Sequence, residues 1–154
     1  YVNNTQENNR EVYDDIIHEI GHSVEQKYGN FVYSDMTLER EFLRKRKLFQ
    51  KELEMYGINI PDSKIINAEY DQELDLYFSD VIGYPKMTTM TQGIFYSPYG
   101  ATSLREYFAN GFEAYFYHKD FYLKKVSPVL YDKLEKLEIG DNIWKLNLEK
   151  MVTC

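Results

Sequence analysis

The stretch His18-Glu19-Ile20-Gly21-His22 constrains this chain more than any other feature of its sequence. Two histidines four residues apart lie on one face of an α-helix, so both imidazoles can bind the same metal ion. The glutamate after the first histidine is then close to the metal, where hydrolysis needs a general base. The stretch therefore predicts a zinc-hydrolase helix in which His18 and His22 bind the metal and Glu19 is the base.

The flanking residues predict an amphipathic helix from about Glu11 to Tyr28. At about 100° per residue, Asp15 lies on the same face as the histidines. The opposite face is apolar and contains Tyr13, Ile16, Ile17, Ile20 and Val24. Gly21 costs about 1 kcal/mol relative to alanine inside a helix, so we expect another segment to approach the helix backbone there.

Composition narrows the class of protein. With 154 residues, 44% of them apolar, the chain is long enough for a single domain spanning 1–154. A net charge of −7 argues against nucleic acid or an anionic membrane as partner, and no apolar run is long enough to span a membrane. Because the sequence begins at Tyr1 without a signal-type segment, we expect a processed protein or a piece of a longer chain. The lone Cys154 excludes an intramolecular disulfide and a cysteine-based zinc site.

Periodicity and turn residues predict the remaining architecture. Phe31 and Val32 are candidate strand residues, and residues 87–98 are predicted to form an irregular rim to a cleft. Residues 1–10 are predicted to be a polar lead-in. Helices are predicted near 38–56, 66–82, 103–118 and 127–138, with a last helix beginning at Asp141.

The basic run Arg44-Lys45-Arg46-Lys47 has two interpretations. Such a run is typical of nucleic-acid binding or targeting segments. Acidic residues lie on either side of it, however, and Glu41 can pair with Lys45 one helical turn away. We therefore expect a solvated helix face.

A catalytic zinc site needs a third protein ligand. Metzincins have a third histidine six residues after the second, but that position is Tyr28, so the chain is not a metzincin. His118 is predicted to be a solvated residue at a helix end. The best remaining candidate is Glu106, with Glu113 as the alternative; a capping box with Ser103 is a competing explanation for Glu106.

Two segments resemble a known family. His18–Glu25 (HEIGHSVE) and Tyr99–Phe112 (YGATSLREYFANGF) are similar to the active-site segments of the anthrax lethal factor-like zinc endopeptidases, whose relatives include secreted Pro-Pro endopeptidases. The resemblance covers the first helix and residues 96–118, and little between them.

The resemblance implies roles for individual residues. His18, His22 and Glu106 would hold Zn²⁺, and Glu19 would be the base. Tyr99 would assist at the oxyanion. It also implies an α+β, mainly helical, zincin-like domain of a secreted, toxin-like bacterial metallopeptidase that acts on protein or peptide substrates.

Three features depart from the family pattern. Asn110 stands where zinc proteases of this type commonly have a carboxylate that hydrogen-bonds the zinc ligands, which predicts lower zinc affinity. Residues 30–95 form an unusually long insertion. The short segment before His18 leaves no room for a substrate-aligning sheet edge, so we expect the C-terminal part of a longer domain.

These departures motivate two alternatives to a peptidase. One is a catalytically inactive lethal-factor-like domain that serves binding or delivery within a larger toxin. The other is zinc-dependent hydrolysis of a non-peptide amide, for which a small closed pocket is expected.

Overall fold

The computed structural model describes residues 9–140, and this part of the chain is mostly helical. Besides α-helices, this range contains the π-helix Tyr77–Ile82 and the 3₁₀ turn Pro98–Ala101. Residues 9–140 contain no strand, so the mainly helical prediction is confirmed and the β part of the predicted α+β class has no counterpart in them. The α-helices of this range are α1 (Asn9–Tyr33), α2 (Thr37–Met55), α3 (Asp62–Ile65), α4 (Gln72–Leu76), α5 (Tyr84–Met90), α6 (Leu104–Phe116), α7 (Tyr122–Val126) and α8 (Pro128–Gly140).

Helix α1 is longer than predicted at both ends. It includes residues 9 and 10 of the expected lead-in, and it continues through Tyr28, whose backbone departs from helical values (φ −110°, ψ 17°). The prediction of strand residues at Phe31 and Val32 is therefore wrong. Val32 is fully buried in the core, and this burial favours continuing the helix beyond the kink.

The segment predicted as one helix over residues 66–82 is divided in two. Asp71 accepts a hydrogen bond from the backbone nitrogen of Leu74 and so starts α4 only at residue 72. The π-helix then ends at Gly83, which has a positive φ of 84°. Part of the expected irregular rim, residues 87–90, is helical because α5 begins directly after this turn.

The core lies between α1, α2, α6 and α8. Aromatic side chains from α2 and α6 form its centre, among them Phe42, Phe49, Phe108 and Phe112. Leu130 of α8 packs so closely against the backbone of α6 that only glycine fits at Gly111. Within residues 9–140, no helix has the combined length and apolar character that crossing a membrane requires.

The prediction of a solvated basic face on α2 is wrong for two of its four residues. Arg44 is exposed and Lys47 half-buried, but Lys45 and Arg46 are buried. Both occupy the apolar face of α2, and backbone carbonyl groups surround their charges. Three features discussed from the sequence lie outside the described residues. They are the polar lead-in over residues 1–8, the helix from Asp141 and the lone Cys154.

Candidate metal centre

Helices α1 and α6 position the candidate metal ligands. His18 and His22 lie one turn apart on α1, and Glu106 lies in the first turn of α6. The two helices meet at Gly21, where a Cβ atom would lie 3.2 Å from the Cα of Ala109. This confirms that Gly21 accommodates a close neighbour, and the neighbour is the helix that contains Glu106.

The three side chains converge on one point. His18 Nε2 lies 2.9 Å from Glu106 Oε2, and His22 Nε2 lies 3.3 Å from Glu106 Oε1. Ligand atoms of a tetrahedral zinc site, with bonds of about 2.0–2.1 Å, lie about 3.4 Å apart. One ligand atom from each residue lies within 4.8 Å of the other two. Two imidazole nitrogens and one carboxylate are also a donor set that zinc accepts, so these residues fit the ion.

Their electrostatics favour a cation at this point. Burial opposes the shift, but hydrogen bonds to Glu106 and Glu113 raise the pKa of His18 to about 9. Hydrogen bonds to Glu106 and Glu25 raise the pKa of His22 to about 9. Despite burial, hydrogen bonds from the two imidazoles lower the pKa of Glu106 to about 2. Glu106 therefore remains a carboxylate across the physiological range.

Glu106 also occupies the position that a capping box requires. The Ser103 hydroxyl accepts a hydrogen bond of 3.2 Å from the backbone nitrogen of Glu106, which caps α6. The Glu106 carboxylate meanwhile contacts both imidazoles. Ser103 thus forms its half of the predicted box, while the glutamate side chain lies against the histidines.

Each histidine faces a second carboxylate with its other ring nitrogen. His18 Nδ1 lies 3.6 Å from Glu113 Oε2, and His22 Nδ1 lies 3.5 Å from Glu25 Oε2. Carboxylates in this position orient metal-binding imidazoles and increase their basicity. The sequence signal for Glu25 was its position three residues after His22, on the same side of α1.

Glu25 is itself fixed by two donors. The Tyr33 hydroxyl donates a hydrogen bond of 2.7 Å to its Oε1, and Arg105 Nε donates one of 3.0 Å to its Oε2. Burial opposes ionisation, but the hydrogen bonds with His22, Tyr33 and Arg105 lower the pKa of Glu25. A buried carboxylate beside His22 is thereby kept charged.

Asn110 has a different neighbour from the one predicted. Its Oδ1 accepts a hydrogen bond of 3.0 Å from the Ser97 hydroxyl. The same oxygen would lie 3.2 Å from a Cβ atom at Gly100. Asn110 therefore supports the segment on either side of Tyr99, and the carboxylates beside the histidines are Glu25 and Glu113.

Tyr99 and Glu19 lie beside the ligand group. Both line a cleft of about 450 Å³ together with His18, and the Tyr99 and His18 ring centroids are 5.9 Å apart. Burial, followed by the charge of Glu106, raises the pKa of Tyr99 to about 12. The Tyr99 hydroxyl is therefore protonated at neutral pH and can donate a hydrogen bond.

Part of the long insertion packs against Tyr99, which lines this cleft. The Tyr84 ring lies 5.8 Å from that of Tyr99, and its hydroxyl donates a hydrogen bond of 3.3 Å to Asp75 Oδ1. The Tyr70 hydroxyl donates one of 3.0 Å to Asp75 Oδ2. Tyr84 is therefore a neighbour of Tyr99, and Asp75 links Tyr84 to Tyr70.

His118 lies just after the end of α6 and is only partly exposed, unlike the predicted solvated residue. Its Nε2 is 3.0 Å from Glu113 Oε1 and 3.7 Å from Asp14 Oδ1. His118 thus takes no part in the group formed by His18, His22 and Glu106.

No family model, no curated protein and no solved structure matches this chain. The resemblance of the two segments to the lethal factor-like peptidases therefore stays a prediction. The assignment of the site depends on the geometry of its residues.

Proposed function

We propose that this protein is a zinc-dependent endopeptidase with Zn²⁺ as its cofactor. The main support is the convergence of His18, His22 and Glu106 beside a cleft that Glu19 and Tyr99 also line. Metal-dependent amide hydrolysis uses a Lewis acid, a general base and a donor for the oxyanion. Within one small region, three of these side chains would bind the Lewis acid, Glu19 would be the base and Tyr99 would be the donor.

When bound, zinc supplies Lewis acidity toward the scissile carbonyl and the attacking water. Glu19 accepts the proton of that water and donates it to the leaving amine. The Tyr99 hydroxyl donates a hydrogen bond to the carbonyl oxygen as negative charge develops there. Glu25 and Glu113 hold the imidazoles in orientation from behind.

The wider interpretation also belongs to this proposal. Helices α1 and α6 contain the two segments that resemble the lethal factor-like family, and they pack directly on one another. We therefore extend the proposal to a zincin-like domain of a secreted, toxin-like bacterial peptidase. The contacts of Asn110 and Glu25 weaken the argument for an inactive domain, because the histidines face carboxylates despite the asparagine.

The test is a Glu19→Gln variant assayed with a peptide library and by zinc analysis. We expect full zinc content and no cleavage, because glutamine cannot accept the proton. Retained cleavage would exclude Glu19 as the base. If the wild-type chain binds zinc but cleaves no peptide, the inactive binding or delivery domain is favoured; cleavage of small amides alone would favour the non-peptide hydrolase.

A further inference from the structure

A second group of possible ligands lies next to the candidate zinc site. It consists of Asp14 on α1, Glu113 on α6 and His118 after the end of α6. Asp14 lies one helical turn before His18, and Glu113 lies two turns after Glu106. Among residues 9–140, this is the only group besides the zinc ligands in which three such side chains each offer a ligand atom within 4.8 Å of the others.

The distances in this group suit a metal ion. His118 Nε2 lies 3.0 Å from Glu113 Oε1 and 3.7 Å from Asp14 Oδ1. These values lie on either side of the roughly 3.4 Å that separates ligand atoms in a tetrahedral site. One imidazole nitrogen with two carboxylates is a donor set that Zn²⁺ and Mn²⁺ accept.

One carboxylate oxygen of this group lacks a hydrogen-bond partner. Asp14 Oδ1 is buried and has no hydrogen-bond partner within the described part of the chain. Such an atom is costly unless something binds it. Burial and the charge of Glu113 also raise the pKa of Asp14, although His118 and Arg10 act in the opposite direction.

A proton on His118 would satisfy only half of the group. It would donate from Nε2 to Glu113 at 3.0 Å, but Asp14 Oδ1, at 3.7 Å, is beyond hydrogen-bond distance. A metal ion accepts electron pairs from all three side chains at once, so it balances both carboxylates.

We propose that Asp14, Glu113 and His118 form a second site for a divalent cation of the Zn²⁺ or Mn²⁺ class. The site does not depend on peptidase activity. It is coupled to the first site through Glu113, whose Oε1 faces His118 and whose Oε2 lies 3.6 Å from His18 Nδ1. A cation here fixes the carboxylate that orients His18, and so it tightens the first site.

The experiment is a zinc titration of the metal-stripped full chain by calorimetry, with elemental analysis after dialysis. We expect two zinc ions per wild-type chain and one in each of Asp14→Asn and His118→Gln. Glu106→Gln should also bind one ion, held at the second site, so failure at either site can be recognised separately. Circular dichroism at matched temperatures verifies that each variant is folded.

The matched control is Asp15→Asn, since Asp15 lines the same cleft but is not in the ligand group. This variant should retain two zinc ions. One ion in the wild type, with Asp14→Asn and His118→Gln unchanged from it, would overturn the proposal. Loss of the second ion in Asp15→Asn as well would also overturn it, because binding would then reflect acidic charge in general.

Discussion

Two polar regions of this protein differ in the groups that surround their charged side chains. On α2, the cations Lys45 and Arg46 are surrounded by backbone carbonyl groups. Arg46 donates to Ala101 and Thr102 and to Lys64 and Asn67, while Lys45 donates to Ile94 and Val126. The chain itself provides every one of these acceptors.

The region between α1 and α6 has the reverse composition. Carboxylates surround imidazoles there, and the buried atom Asp14 Oδ1 has no hydrogen-bond partner within residues 9–140. The comparison separates two uses of buried charge. Where the chain completes the contacts, the charged group is accommodated in the core; where the contacts are incomplete, an ion from solution can complete them.

The largest effect is expected from Glu106→Gln. This change removes the carboxylate charge that both imidazoles contact. Zinc affinity should therefore fall by more than the 10- to 100-fold that is typical when a residue hydrogen-bonded to a metal ligand is mutated. Competition with a chelator measures the affinity of the first site. Glu113→Gln is the comparison, and a smaller loss there than in Glu106→Gln is required if Glu106 is the third ligand.

The Arg46→Met variant tests the region of α2 in which backbone carbonyl groups surround the cations. Methionine is apolar, so four carbonyl groups lose a buried donor. The free energy of unfolding should fall by about 1–3 kcal/mol, which is the cost of leaving buried carbonyl groups without a donor. Urea denaturation measures it.

Arg44→Met is the matched control, since Arg44 is exposed in the same run. Its effect should lie within about 0.5 kcal/mol. Equal losses in Arg44→Met and Arg46→Met would contradict the difference in their surroundings.

Glu25→Gln should weaken zinc binding by about 10- to 100-fold, because the carboxylate beside His22 loses its charge. Asn110→Asp gives the contrast: its side chain lies against Ser97, so zinc affinity should change by less than about tenfold. Chelator competition on both variants checks the pair. A larger effect at position 110 than at position 25 would restore the role first predicted for Asn110.

The smallest effect concerns pH. Burial lowers the pKa of Lys45 to about 8, whereas lysine normally titrates near 10.5. Between these values the unfolded chain binds more protons than the folded chain, so this residue makes stability rise with pH. The stability of the wild type relative to Lys45→Met should therefore increase by about 1 kcal/mol from pH 7.5 to 9.0. Urea denaturation at both pH values checks this, and an unchanged difference would mean that Lys45 is not desolvated.

The sequence predicted the helices with clear periodicity and the placement of His18 and His22 one turn apart on α1. It failed for Lys45 and Arg46 because charge was given more weight than position. Both residues lie between Phe42 and Phe49 on the repeat that defines the apolar face of α2, so that spacing was the available signal. The long α1 and the π-helix escaped prediction because tertiary packing, rather than local preference, determines where they end.

The carboxylates that face the second ring nitrogen of each histidine were harder to predict than the candidate ligands. A motif specifies atoms that must touch one ion, whereas an orienting carboxylate needs only to reach a ring nitrogen. Glu25 and Glu113 meet that condition from different helices. Asn110, although it occupies the expected position in the sequence, accepts a hydrogen bond from Ser97 instead.

The contacts of Arg46 have a consequence for the order of folding and metal binding. Its acceptors lie in residues 64–67 and 101–102, two segments distant from α2 in the sequence. Arg46 therefore links the backbone immediately before α6 to the insertion. Small zinc-dependent domains are unfolded without their metal. Here Glu106 is brought to the histidines of α1 by tertiary contacts of the chain itself, so we expect the chain to fold without metal.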